Sequence, residues 1–158
     1  ARQQLIGRAD WKTVEIYERF DDQRLLTPLV RTIHGDMVAS SLAQATAFLD
    51  DDYPAAACNY ARSACELAVR RFCIKQRVPF PYFEDDKRPD LNSLLTTAIA
   101  HVANDPPRRA ALEGLQPHRQ YVLNPLSHDP AHPIPKADVA AAIEAVREVA
   151  RACAQTYP

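Results

Sequence analysis

Arg62, Glu66 and His128 carry the parts of an acid–base site that needs no metal. Arg62 and Glu66 are four apart, so on a helix they share one face, one turn from each other. His128 comes much later, in Asn124-Pro-Leu-Ser-His-Asp-Pro-Ala-His-Pro-Ile-Pro135. Arginine, carboxylate and imidazole suit RNA cleavage in which the ribose 2′-OH attacks its own phosphate. That reaction asks for a general base, a general acid and a cation for the developing charge. His128 would be acid or base. Glu66 would be the second proton-transfer group or the orienter of His128. Arg62 would clamp the phosphate, since its planar fork matches two oxygens. Arg62, Glu66 and Arg70 also have the spacing of ordinary i,i+4 ion pairs, worth about 0.2–0.5 kcal/mol each. The spacing admits both readings.

Other groups offer less. Asn124, Ser127 and Asp129 flank His128, and Asn and Ser beside Pro are turn formers. They would aim the loop, or simply close a helix end. His118, His128, Asp129 and His132 include metal-ligand types, but Pro130 and Pro133 deny His128 and His132 a common helix, so no metal is expected. Cys58, Cys65, Cys73 and Cys153 lie among apolar residues without a CxxC pair, which predicts buried neutral thiols rather than nucleophiles or a disulfide framework. Arg70, Arg71, Lys75 and Arg77 on one side, with Arg108, Arg109 and Arg119 on another, could flank a groove for RNA. Phe80, Tyr82 and Phe83 could offer stacking faces. Solvated arginines and core-packed aromatics are the alternative. With a net charge of −1, a polyanion must be met by a local patch. There is no P-loop pattern, and no motif calls for a cofactor.

The elements that must position these residues read as helices. The chain has 158 residues, 47% of them hydrophobic and 25% charged, as in one soluble domain. Three glycines leave few tight hairpins, and 13 prolines punctuate apolar-periodic stretches. Residues 10–50 read as a helical hairpin. Asp10 caps Trp11 to Phe20, and Thr27-Pro28 starts a helix to Asp50. Residues 54–77 form the Arg/Glu helix, with Cys58, Ala61, Cys65, Ala68, Val69 and Phe72 as a stripe of small and apolar residues. Phe80, Tyr82 and Phe83 fall in an extended lid. Short helices occupy 91–124, started by Asp90 and by Asp105-Pro106-Pro107 and kinked at Pro117. The chain breaks at Asn124-Pro125. A proline-rich loop presenting His128 fills 125–135, and a last helix covers 136–157. The fold expectation is all-α, a bundle of four main helices plus one or two short ones. No signal peptide or membrane-length apolar run is present, and the cysteines suit the reducing cytoplasm. The chain opens on Ala1 rather than Met, which fits a piece of a longer protein.

Tyr60-Ala-Arg-Ser-Ala-Cys-Glu-Leu-Ala-Val-Arg-Arg-Phe-Cys73, followed much later by Val122-Leu-Asn-Pro-Leu-Ser-His-Asp129, resembles the C-terminal helical domain of SMC-like, ABC-type bacterial defence ATPases. That domain is similar to the HEPN superfamily, in particular to anticodon nucleases of the PrrC and RloC kind. Their catalytic pattern is Arg-x-x-x-Glu on one helix with a distant His. Arg62, Glu66 and His128 match it in order and type, and the resemblance runs from the second helix to the C-terminus. It implies a HEPN-like bundle and a metal-independent endoribonuclease that cleaves tRNA or other RNA as a toxin-like effector of antiphage defence. It further implies a homodimer with the active clefts at its interface, and an upstream ATPase module that restrains the nuclease. The wider HEPN motif, Arg then a polar residue then His shortly after, is not met by Arg119-Gln120, because His128 comes too late. Some HEPN domains are inactive scaffolds, so the other reading is a non-catalytic helical domain for dimerisation or partner docking.

Overall fold

A computed structural model of the chain describes residues 13–21, 24–33, 36–79, 90–129 and 132–155. Strands β1 (Thr13–Asp21) and β2 (Arg24–Ile33) come first. Helices α1 (Met37–Asp50), α2 (Pro54–Lys75), α3 (Leu91–His101) and α4 (Pro106–His118) follow. A π turn over Arg119–Leu123 carries α4 without a break into α5 (Asn124–His128), and α6 (Lys136–Ala154) ends the described chain. Taking 106–128 as one rod, the described residues hold five helices, and from Met37 on every regular element is helical, as expected.

α2 lies at the centre. Its buried face is Ala57, Cys58, Ala61, Ala64, Cys65, Ala68, Val69, Phe72 and Cys73. Mostly small side chains let neighbouring helix axes approach closely. α1 and α6 make its most extensive contacts, while α3, α5 and the π turn also touch it. The bulk comes from those neighbours, with Leu94, Leu95, Leu123, Val139 and Val146 fully buried, and from α4 behind α6, with Leu112 and Leu115. Truncating one such leucine to alanine costs about 2–5 kcal/mol.

The N-terminal segment corrects the expected helical hairpin. Residues 13–33 form an antiparallel pair, with Thr13 opposite Ile33 and Asp21 opposite Arg24. Thr13, Val14, Ile16, Tyr17 and Phe20 are β-branched or aromatic, and that composition favours a pleated strand over a helix. Thr27-Pro28 does not start a helix. It sits where the register slips between the pairs Tyr17–Leu29 and Arg19–Leu26, and a bulge tolerates a residue without an N–H. α1 instead begins at Met37, where the Asp36 carboxylate accepts from the Val38 N–H at 3.0 Å. Asp10, Trp11 and the aromatic stretch Phe80, Tyr82 and Phe83 lie outside the described residues.

The other expected starts are in place. Asp90 accepts from Ser93 N–H at 2.8 Å, and Asp105 accepts from Arg108 N–H at 3.3 Å. Arg108 is not a surface cation, as a groove-lining role would need. It is 6% exposed. Its guanidinium donates to Asp105 at 2.6 Å and to the carbonyls of Ala152 and Gln155 at 2.9 and 3.0 Å, and it lies 5.0 Å from the Phe72 ring centre. It thereby occupies carbonyls that the end of α6 would leave without partners.

The second correction concerns Asn124-Pro125. The chain does not break there, because Leu123 and Asn124 both keep right-handed helical dihedrals and helix continues to His128. The loop is therefore shorter than 125–135 and begins at Asp129. Pro117 likewise sits inside α4 without ending it.

Gly114 is exposed in the middle of α4, and a Cβ there would meet nothing within 4 Å. Gly114→Ala should therefore raise stability by about 0.5–1 kcal/mol. Calorimetry should show a Tm about 1–4 °C higher.

Candidate functional site

Arg62 stands on the flank of α2, with side-chain exposures of 25% for Arg62 and 32% for Glu66. Its Nε donates to Glu66 Oε1 at 3.1 Å. Its Nη1 donates to Ser127 Oγ at 2.9 Å, across 65 residues of sequence. Ser127 Oγ in turn donates to the Asn124 carbonyl at 2.9 Å, which leaves its lone pairs for Arg62. Two edges of the guanidinium are thus fixed. As an ion pair alone, the partly exposed Arg62–Glu66 contact is worth only a few tenths of a kcal/mol, about 0.2–0.5. Its larger effect is to fix where the remaining N–H groups of Arg62 lie.

A cleft of about 330 Å3 opens beside this arginine, lined by Arg62, Asp90, Leu91, Asn92, Arg119, Asn124 and His128. Three helical segments meet there: the flank of α2, the first turn of α3 and the rod from Arg119 to His128. His128 is exposed at the end of α5. Arg119 is steadied through its Nε, which donates to Gln116 Oε1 at 3.2 Å. Asp90 shares the cleft lining with the two arginines. The Ser93 backbone N–H, above all, holds its pKa below the ordinary 3.8, and the Arg119 charge adds to the effect. An anionic ligand oxygen would thus meet two guanidinium groups, an imidazole and two amides, with the Asp90 carboxylate in the same lining.

The structure brings Arg62, Asn124 and His128 to one cleft, with Arg119 beside them and Ser127 behind Arg62. Glu66 turns to Arg62 and does not line the cleft, so it orients the arginine rather than His128. Asp129 ends α5, its N–H donating to the Pro125 carbonyl at 2.8 Å, while its own carbonyl accepts from His132 N–H at 3.0 Å. Arg70, Arg71 and Lys75 are split up. Arg70 stays on the flank of Arg62 and Glu66, about 12 Å further along α2. Arg71 lies about half a turn round the helix from Arg62. It bonds Asp36 at 3.1 Å and, with Lys75, lines a separate groove of about 180 Å3. Arg109 pairs with Glu113 at 2.7 Å on the exposed side of α4. Asp90 and Asn92 are additions that the sequence reading missed: Asp90 reads there only as a helix cap, and nothing local in Asn92 signals a site.

Among the described residues, no three His, Cys, Asp or Glu side chains are placed to hold a metal ion, so His118, His128, Asp129 and His132 do not converge. All four cysteines are free and buried. Burial pushes Cys58 and Cys153 up to about 12 and Cys73 to about 11, and raises Cys65 as well. Such thiols are protonated and inert near neutral pH. No described helix is long and apolar enough to cross a membrane. Comparison of the chain with protein-family models, with curated proteins and with solved structures finds no match in any of the three.

Asp90 links the cleft to folding. Its carboxylate caps α3, so Asp90→Ala should cost about 1 kcal/mol at neutral pH. Its folded pKa lies below the unfolded value, so the charge contributes fully above 3.8 and loses its contribution as pH falls through the depressed value. Urea titrations of wild type and Asp90→Ala should therefore differ most at pH 7, and the difference should shrink as the pH falls through the depressed value.

Proposed function

We propose that this chain is a HEPN-like domain that cleaves RNA, tRNA foremost, without a metal, as the effector part of a cytoplasmic antiphage ATPase. The observation that carries the reading is the common cleft of Arg62, Arg119 and His128. Cleavage begins when a base takes the proton of a ribose 2′-OH. The oxygen attacks the adjacent phosphorus, and an acid protonates the departing 5′ oxygen, leaving a 2′,3′-cyclic phosphate. Negative charge grows on the non-bridging oxygens, where fixed guanidinium donors stabilise it most. Arg62 suits that task because Glu66 and Ser127 hold it before substrate arrives. Arg119 adds a second positive charge. His128 is the imidazole among the described residues that line the cleft, and imidazole is the commonest side chain for general acid–base catalysis. In a homodimer with clefts at the interface, a second copy would supply the other proton-transfer group. An upstream ATPase module would control access.

A second reading, a non-catalytic dimerisation or docking domain, draws on one observation. The Glu66 carboxylate is taken up by Arg62 and offers the cleft no base of its own.

The chain incubated with tRNA in a chelator separates the two. The nuclease reading expects cleavage to cyclic-phosphate ends without metal. It expects a loss of about 100-fold or more in His128→Ala, whose exposed side chain can go without disturbing the core. Equal tRNA integrity in wild type and variant, together with equal toxicity on expression, favours the docking domain.

A further inference from the structure

We propose that Pro125 is a positioning residue: it fixes the wide turn Arg119–Leu123 and so sets the register of Asn124, Ser127 and His128 against Arg62. The functional part of this assignment rests on reading the Arg62–His128 cleft as the working site. The register part stands on backbone geometry.

Proline in a helix lacks the N–H for the carbonyl four residues back, and its ring crowds that carbonyl. At 125 the affected group is the Tyr121 carbonyl. The rod nevertheless passes through Pro125, with Asn124 at φ −70 and ψ −51. A turn one residue wider than α makes this possible. The Asn124 N–H bonds the Arg119 carbonyl five residues back instead of the Gln120 carbonyl four back.

The extra residue determines which side chains share a face. On an α-helix, residues five apart point about 140° away from each other. A turn closed by an i→i+5 bond sets them nearly in line. Arg119 and Asn124 are five apart, and both line the cleft. His128 follows Asn124 by four along α5 and lines it too. Ser127, three beyond Asn124, then reaches Arg62 at 2.9 Å. An uninterrupted α-helix through the same residues would rotate everything after the turn by about 100° relative to Arg119. The cleft would lose its common wall, and Arg62 would lose Ser127.

A wide turn is in effect one residue inserted into an α-helix, so a compensating deletion tests the idea. Three variants are compared with wild type: Pro125→Ala, deletion of the exposed Gln120 with Pro125 kept, and both together. NMR cross-peaks between the Arg62 guanidinium protons and the Ser127 side chain report the register directly. Circular dichroism confirms that each variant is helical. Each single change should abolish the cross-peaks, and the double variant should restore them. Unchanged cross-peaks in Pro125→Ala overturn the assignment, and so does a double variant that fails to recover. Ser127→Ala gives the reference spectrum for an Arg62 that keeps Glu66 but lacks the Ser127 bond, without any backbone change. If the wild type cleaves RNA, kcat should fall about 100-fold in each single variant and return in the double one, with KM moving less. If it cleaves none, the nuclease reading falls, and the cross-peak pattern still decides the role of Pro125.

Discussion

Five helical elements or turns can gather round one helix only if that helix is thin. The buried face of α2 is largely alanine and cysteine, and the packing of α1, α3, α5, α6 and the π turn against it follows from that choice. α1 and α6 come close enough to touch each other as well as α2. The space left by the small residues is filled by leucines and valines on the surrounding elements. One consequence bears on function. Arg62 grows from the most enclosed helix of the molecule, so its backbone is held from several sides while its side chain reaches the surface.

Two arginines show how the same side chain serves opposite ends. Arg108 is enclosed, with a carboxylate, two helix-end carbonyls and the Phe72 ring around it. A cation buried to that degree is tolerated because its N–H groups meet acceptors, and it joins the start of α4 to the end of α6. Arg62 is fixed at two edges among the described residues and stands in the wall of an open cleft. The two differ in how many donors remain after folding. Residue type and helical spacing do not reveal it.

That contrast explains much of what the sequence could and could not tell. The helix starts at Pro54, Asp90, Asp105 and Lys136 were legible because capping and periodicity are local signals. The buried stripe of α6 and the neutral thiols were legible for the same reason. The convergence of Arg62 with Asn124, Ser127 and His128 was readable only as a pattern of types, and Asp90 and Asn92 joined the cleft unannounced. The errors centre largely on prolines. Pro28 reads as a helix start and lies in a strand bulge, while Pro125 reads as a break and lies inside a helical rod. A missing N–H has no fixed meaning until the partner strand or the preceding turn is known, and both are tertiary facts. Arg108 fails similarly, since only the packed α6 shows where its acceptors are.

The thiols have a use beyond filling space. Cys65, Cys73 and Cys153 are near enough for the charge of one to raise the pKa of the next, which places them together where α2 meets α6. Since thiolate is the reactive form, none can be alkylated while the seam is shut. The rate at which they do react then measures how often α2 and α6 part, much as amide exchange measures local opening. The protein carries its own clock for the breathing of this contact, and Cys65 places it within one turn of Arg62 on α2.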